Sequence, residues 1–149
     1  MFSQKETLAL AHDALKHFRL KCEVKFLSIA AFKKIALKSS LIQQVLAEGW
    51  DFEELKIPAL IYHQEKDHIY LNEKILDRIL KNIDKDLQKD FVKSVIYHEL
   101  FHVLYEHQLE KNNFVECLKS EERVCRAFKK KYPALYKIGY DLHKKATLM

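Results

Sequence analysis

Apolar residues recur along most of the chain at intervals of three and four, the spacing that places them on one face of a helix. Residues 4–20 show it first, with Leu8, Ala11, Leu15 and Phe18 on one face. Further helices are predicted at 29–38 behind a Ser28 cap, at 40–49, at 73–83, from Asp86 or Asp90 through 95–105, at 112–132, and from Pro133 to about 145. The pattern predicts a mainly helical chain.

Three shorter segments alternate apolar and polar residues, as strands with one covered face do. They are 22–28 (CEVKFLS), 59–63 (ALIYH) and 68–72 (HIYLN). The last two flank the polar tetrapeptide QEKD, which predicts a β-hairpin. Strands early in the chain and helices late indicate an α+β class with a small sheet. The 149 residues fit one domain, and two glycines with two prolines argue against a turn-rich all-β fold.

Charge and hydropathy narrow the classes of partner. The chain has 26 lysine and arginine residues against 21 acidic ones, a net charge of +5. The excess lies mostly in lysines scattered over predicted helix faces, which is typical of a solvated surface and argues against a nucleic-acid partner. No apolar run reaches the length of a membrane span, and residues 1–20 lack the apolar core of a signal peptide. We therefore expect no membrane partner.

The three cysteines, Cys22, Cys117 and Cys125, are odd in number and widely spaced. They form no C-x-x-C pair, so the sequence predicts neither a disulfide framework nor a zinc knuckle. Free thiols of this kind are typical of a reducing compartment, and we expect a cytoplasmic protein.

The stretch VIYHELFHVLY at 95–105 is nearly all apolar. Tyrosines aside, its polar side chains are those of His98, Glu99 and His102. On a helix His102 lies about 40° from His98 and Glu99 about 100° from it, while apolar residues occupy most of the remaining circumference. Because burying unpaired imidazoles and carboxylates costs several kcal/mol, this polar notch in a buried helix requires a compensating partner.

A metal ion is a partner that fits this notch. Histidines at i and i+4 lie one turn apart, so both ring nitrogens can bind one zinc ion at about 2.0–2.1 Å. Glu99 points away from the histidine pair and can act on a water molecule at the ion instead of on the ion itself. The residues form the H-E-x-x-H motif of zinc peptidases. The alternative is a pair of core histidines bonded to the backbone or to Glu106.

A catalytic zinc site needs a third protein ligand and an open fourth position. The helix predicted after the motif offers Glu121 and Glu122. Glu121 lies at the centre of the apolar face of that helix, and Glu122 lies about 100° off it. Helix phase favours Glu121, because a carboxylate on an apolar face is the one that needs a partner. On a continuous helix His107 would point about 140° away from His102, and His143 is isolated in sequence.

The H-E-x-x-H motif with a glutamate about twenty residues later resembles the gluzincin metallopeptidases. More narrowly, HELFHVLYEH followed by SEERVCRAF is similar to the ImmA/IrrE-like small zinc peptidases, whose second helix has the form E-x-x-A-N-x-F-A. The segment ALIYHQEKDHIYLN resembles the hairpin that precedes the active-site helix in that family. The resemblance covers roughly residues 55–132. It implies a small zincin-like domain.

When SEERVCRAF is compared with E-x-x-A-N-x-F-A, the resemblance implies that Glu122 is the third ligand. The resemblance therefore favours Glu122 over Glu121. Cys125 then takes the small-residue position and Phe128 the aromatic one. Arg126 stands where the family has asparagine, and Phe101 stands where a glycine commonly precedes the second histidine. Glu121 and Glu122 are both kept as candidate ligands.

The resemblance implies a peptidase with one Zn²⁺ ion, held by His98, His102 and one of the two glutamates. Glu99 would be the general base that takes a proton from the attacking water. The expected partner is a peptide or protein substrate, with a DNA-binding repressor or an antitoxin suggested by the family, lying along a strand edge at 68–72. Unranked candidates for stabilising the oxyanion are Tyr97, His107, Tyr140 and His143.

Two other functions stay open from sequence. A non-catalytic zinc-binding or regulatory protein would have a closed site, with a fourth ligand such as His107 or Cys117. A DNA-binding module would use the segment 32–50, FKKIALKSSLIQQVLAEGW, which loosely resembles a helix-turn-helix. That segment lacks the glycine turn and a basic recognition face, which argues against the DNA-binding function.

Overall fold

A computed structural model describes residues 1–63, 66–106 and 114–147. Its elements follow the order α1 (Gln4–Phe18), β1 (Cys22–Leu27), α2 (Ile29–Ala36), α3 (Ser40–Ala47), a 3-10 helix (Phe52–Leu55), β2 (Ala59–His63), β3 (Asp67–Asn72), α4 (Glu73–Lys81), α5 (Lys85–Glu106), α6 (Phe114–Lys131) and α7 (Pro133–Thr147). Within these residues the protein has seven α-helices and three strands, which confirms the predicted α+β class.

Short polar side chains set where several helices begin. Ser3 opens α1 with a capping box, in which its Oγ accepts a bond from the Glu6 N–H at 3.1 Å and the Glu6 carboxylate accepts one from the Ser3 N–H at 3.2 Å. The caps of α2, α3 and α4 are Ser28, Ser39 and Asn72. The predicted Ser28 cap is confirmed. However, α2 ends two residues earlier than predicted, because Ser39 already starts the next helix.

The three strands form one sheet in the order β1-β3-β2. β2 and β3 make the predicted antiparallel hairpin, with Ile61 opposite Ile69. β1 lies parallel to the other side of β3, with Val24 opposite Ile69, and α2 and α3 lie in the crossover that a parallel pair requires. The prediction that 68–72 is a free edge is therefore wrong, because β3 is central and its backbone pairs on both sides. In the part of the chain that the structure describes, β2 is the strand of the hairpin that lies at an edge of the sheet.

α5 runs through the middle of the fold and contacts α1, α6, α7 and β2. Five of its apolar residues are at most 1% exposed: Phe91, Val92, Ile96, Leu100 and Phe101. This confirms the predicted burial of the helix on nearly all sides. The polar residues His98, Glu99 and His102 of this helix line a cavity.

α5 and α7 meet at a glycine. Gly139 of α7 lies against Ser94 of α5, so a Cβ added at Gly139 would overlap the Ser94 Cβ and Oγ. We expect Gly139→Ala to lower the free energy of unfolding by about 1–3 kcal/mol, the usual cost of forcing volume into a packed interface. Helix propensity alone predicts the opposite sign, since alanine is favoured over glycine by about 1 kcal/mol. Urea unfolding measures the change.

The matched control is the same substitution in a Ser94→Gly background, where the overlapping side chain is gone. There Gly139→Ala should be neutral or stabilising. A Gly139→Ala variant as stable as wild type in the presence of Ser94 would show that α5 and α7 separate without cost.

Candidate metal centre

α5 places its two motif histidines one turn apart on the same side, as the i, i+4 spacing requires. The Nε2 atoms of His98 and His102 lie 3.0 Å apart, and their ring centroids lie 4.9 Å apart. The His102 side chain is 9% exposed and the His98 side chain 28%. Both line one cavity, so the pair is reachable from that side.

α6 supplies a carboxylate to this pair. Glu121 Oε1 lies 2.9 Å from His98 Nε2, and Glu121 Oε2 lies 2.9 Å from His102 Nε2. Burial raises the pKa of Glu121, but the hydrogen bonds and charges of His102 and His98 outweigh burial and hold that pKa far below its usual range. Glu121 is therefore ionised beside the two imidazoles.

With Glu121 ionised, protons alone do not satisfy all three contacts. Each Nε2 can donate to the carboxylate only if it carries a hydrogen. Hydrogens on both would bring two N–H groups of like polarity within the 3.0 Å that separates His98 from His102. A hydrogen on only one would leave the other Nε2 lone pair facing a carboxylate oxygen 2.9 Å away. A shared cation removes the conflict, because all three groups then direct lone pairs at it.

Glu122 does not join this group. Its side chain is exposed, while Glu121 contacts both histidines. The physical reason is helix phase: one residue along α6 turns the side chain by about 100°. Val124 and Phe128, 0% and 2% exposed, mark the buried face of α6. The structure therefore brings Glu121, and not the preferred Glu122, to the two histidines, and which glutamate binds a metal stays a prediction.

Glu99 lies next to the candidate ligands. It is 8% exposed and lines the same cavity as the histidines. Its charge acts on the thiol of Cys125, which places the carboxylate near the centre. Its phase on the helix, about 100° from His98, predicts that it acts on a water molecule at the ion.

Cys125 stands at the centre, although sequence reasoning assigned it only a small-residue position. Its Sγ donates to Glu121 Oε1 at 3.7 Å, and the ligating atoms of His98, Glu121 and Cys125 all lie within 4.8 Å of one another. Burial, then the charge and hydrogen bond of Glu121 and the charge of Glu99, raise the pKa of Cys125 to about 12. The signal in the sequence was the i+4 spacing from Glu121, which puts both residues on one face of α6.

The cavity beside this centre has a volume of about 720 Å³. All five residues from Pro58 to Tyr62, along the edge strand β2 of the described sheet, line it. Further lining residues come from the end of α2, the start of α3 and the 3-10 helix. Apolar residues of the lining include Ile35, Ala36, Leu41, Ile42, Leu55 and Leu60. The cavity therefore offers apolar space next to the histidines.

The candidates for oxyanion stabilisation differ in whether they line the cavity. Tyr140 and His143 line the cavity, and His143 Nε2 donates to the Lys56 carbonyl at 3.1 Å. Tyr97 instead packs edge-on against Phe18 and Tyr132 and is not among the residues that line the cavity. His107 lies outside the described residues, as do the side chains of Glu106 and Cys117.

The segment 32–50 folds largely into α2 and α3, two consecutive helices. α3 would be the recognition helix of a helix-turn-helix, but it contains no lysine or arginine. Its Leu41 and Ile42 line the cavity. α3 thus contributes apolar wall to the candidate site.

The chain matches none of the protein-family models, curated proteins or solved structures with which it was compared. Among the helices of the described ranges, none is both long enough and apolar enough to cross a membrane. The function must therefore be argued from the geometry of the centre and from the motif that carries it.

Proposed function

We propose that this protein is a zinc-dependent peptidase with a small zincin-like domain. His98 and His102 of α5 and Glu121 of α6 are the metal ligands, and Glu99 is the general base. The observation that carries the proposal is the set of contacts at 2.9–3.0 Å between His98 Nε2, His102 Nε2 and the two Glu121 carboxylate oxygens, which protons do not satisfy while Glu121 is ionised.

The donor set fits zinc better than the other common divalent ions. Two imidazoles and one carboxylate are a typical ligand set for catalytic zinc, whereas Mg²⁺ and Ca²⁺ prefer oxygen ligands throughout. Zinc bound at about 2.0–2.1 Å in a tetrahedral site sets its ligand atoms about 3.3 Å apart. The contacts of 2.9–3.0 Å need to open only slightly to admit it.

A bound zinc ion would supply a Lewis acid and lower the pKa of a water molecule toward neutrality. The residues of the chain supply the remaining steps. The Glu99 carboxylate takes a proton from the water that attacks the peptide carbonyl, and then passes it to the leaving nitrogen. Glu99 is suited to this because it lines the cavity next to a ligand while His98, His102 and Glu121 contact one another.

The substrate we propose is an extended peptide, or an exposed segment of a protein. Among the described residues β2 is an edge strand of the sheet and lines the cavity, so we propose that a peptide adds to it through backbone hydrogen bonds. The walls on either side are mostly apolar, which favours bulky apolar side chains near the scissile bond. The motif resemblance adds a DNA-binding repressor or an antitoxin as the kind of protein that would present this segment.

We expect zinc-loaded protein to cleave members of a mixed peptide library, with bulky apolar residues enriched beside the cut. Mass spectrometry of the products reads both the cleavage and the preference. A chelator should abolish cleavage and added zinc should restore it, because the ion supplies the Lewis acid. Protein that carries one zinc per chain and cleaves nothing in several libraries would contradict the peptidase function.

That negative outcome would favour the second candidate function, a zinc-binding or regulatory protein without turnover. The observation in its favour is Cys125, whose Sγ lies within 4.8 Å of the ligating atoms of His98 and Glu121. Zinc sites with four protein ligands are structural, whereas catalytic ones keep a position for water. What Cys125 does at the ion is therefore the next question for either function.

A further inference from the structure

Cys125 follows Glu121 by one helical turn on α6, so both side chains face α5. We propose that Cys125 is a fourth ligand of the metal centre. Its thiolate takes the position that a peptidase leaves open for water, and this closes the centre in the resting protein. This inference rests on the metal centre of the proposed function and adds a means of controlling it.

Distances support a shared ion. With zinc at about 2.0–2.1 Å from oxygen and about 2.3 Å from sulfur, a tetrahedral site places the two ligand atoms about 3.6 Å apart. The Cys125 Sγ and Glu121 Oε1 atoms are already 3.7 Å apart. His98 lies within 4.8 Å of both, and His102 joins through His98 at 3.0 Å and Glu121 at 2.9 Å. The four side chains form one connected cluster from two helices.

Coordination by Cys125 would be a ligand exchange without electron transfer. The thiol would give its proton to solvent, and the sulfur would take the position that water holds in the open centre. Because no bond within the protein other than the S–H bond is made or broken, the exchange would be reversible.

The consequence is an equilibrium between two forms of the loaded protein. The closed form has four protein ligands and no place for water, while the open form has three and can carry out hydrolysis. Substrate entering the cavity meets Cys125, which also lines it, and favours the open form by competing for the same space. Removing the thiol should therefore leave only the open form.

Cobalt substitution tests the ligand directly. A sulfur bound to Co²⁺ adds a charge-transfer band in the near ultraviolet, while nitrogen and oxygen ligands give the visible d–d bands of a tetrahedral ion. We expect both bands in the wild-type protein and loss of only the charge-transfer band in Cys125→Ser. Cys22→Ser is the matched control, because Cys22 lies in β1 and is a half-buried thiol that does not line the cavity.

The outcomes separate this inference from the proposed function. Visible d–d bands without a charge-transfer band in wild type would overturn the role of Cys125 and leave the metal centre intact. Absence of d–d bands in wild type would overturn the metal centre itself. A charge-transfer band that persists in Cys125→Ser and disappears in Cys117→Ser would show that the sulfur belongs to the other cysteine of α6.

Zinc protection of the wild-type protein gives a second measurement that does not depend on a folded variant. Zinc should slow alkylation of Cys125 by iodoacetamide by about ten-fold or more and leave Cys22 unchanged, as read by peptide mapping. An equal rate at Cys125 with and without zinc would overturn the inference. Zinc-loaded Cys125→Ser should also cleave peptides several-fold faster than wild type.

Discussion

Zinc-loaded Glu99→Gln protein is expected to keep its metal and its thermal midpoint while losing peptidase activity by about 10²-fold or more. Glutamine has nearly the shape of glutamate, so the side chain can remain in its place at 8% exposure. It cannot accept a proton, so the attacking water loses its base. We expect zinc binding to be spared because the proposed ligands are His98, His102 and Glu121, which contact one another.

The matched control for Glu99→Gln is Asp86→Asn. It removes one negative charge from the same helix, at an exposed position in the first turn of α5 that does not line the cavity. Its activity should equal that of wild type. Activity unchanged in Glu99→Gln would refute Glu99 as the base whatever the zinc content, and loss of zinc in this variant would make Glu99 a ligand instead.

Much of the fold followed from local rules. The caps at Ser28 and Asn72 and the hairpin of β2 with β3 depend on residues a few positions apart, so their patterns are visible in the sequence. The pairing of β1 with β3 joins Val24 to Ile69 and has no such pattern. Without that pairing β3 appeared to be a free edge. The order of strands is decided by how α2 and α3 cross the sheet, which is a tertiary property.

In the candidate site, too, some features are set by local sequence and others by the packing of helices. The approach of His98 to His102 is fixed by the spacing of one turn within α5, so it could be predicted. Which face of α6 turns toward α5 depends on the packing of Val124 and Phe128, and the apolar pattern around Glu121 already contained that information. The motif comparison placed the preferred glutamate one residue further along.

Cys125 lies one helical turn after Glu121 on α6 and contacts it, whereas Arg126 is exposed. The resemblance compared Arg126 with the asparagine of the second motif, so it drew no attention to Cys125.

The two glutamates are separated experimentally by zinc affinity. We expect Glu121→Gln to weaken zinc binding by about ten-fold or more, since it neutralises a side chain that contacts both histidines. Glu122→Gln should bind zinc like wild type, because its side chain is exposed. The two variants remove the same charge from neighbouring positions of one helix, so each is the control for the other.

The largest loss of zinc binding is expected in the His98→Ala, His102→Ala double variant, which should carry no zinc after purification and reloading. Elemental analysis of wild type should give about one zinc per chain, and competition with a chromophoric chelator should give the affinities. Equal zinc affinity in Glu121→Gln and wild type would place the third ligand elsewhere. Zinc retained by the double histidine variant would remove the metal centre from α5 altogether. Weaker zinc binding in Glu121→Gln, with normal binding in Glu122→Gln, would show that the centre needs ligands from two helices. The two histidines come from α5 and the carboxylate comes from α6, so the contact between these helices assembles the centre.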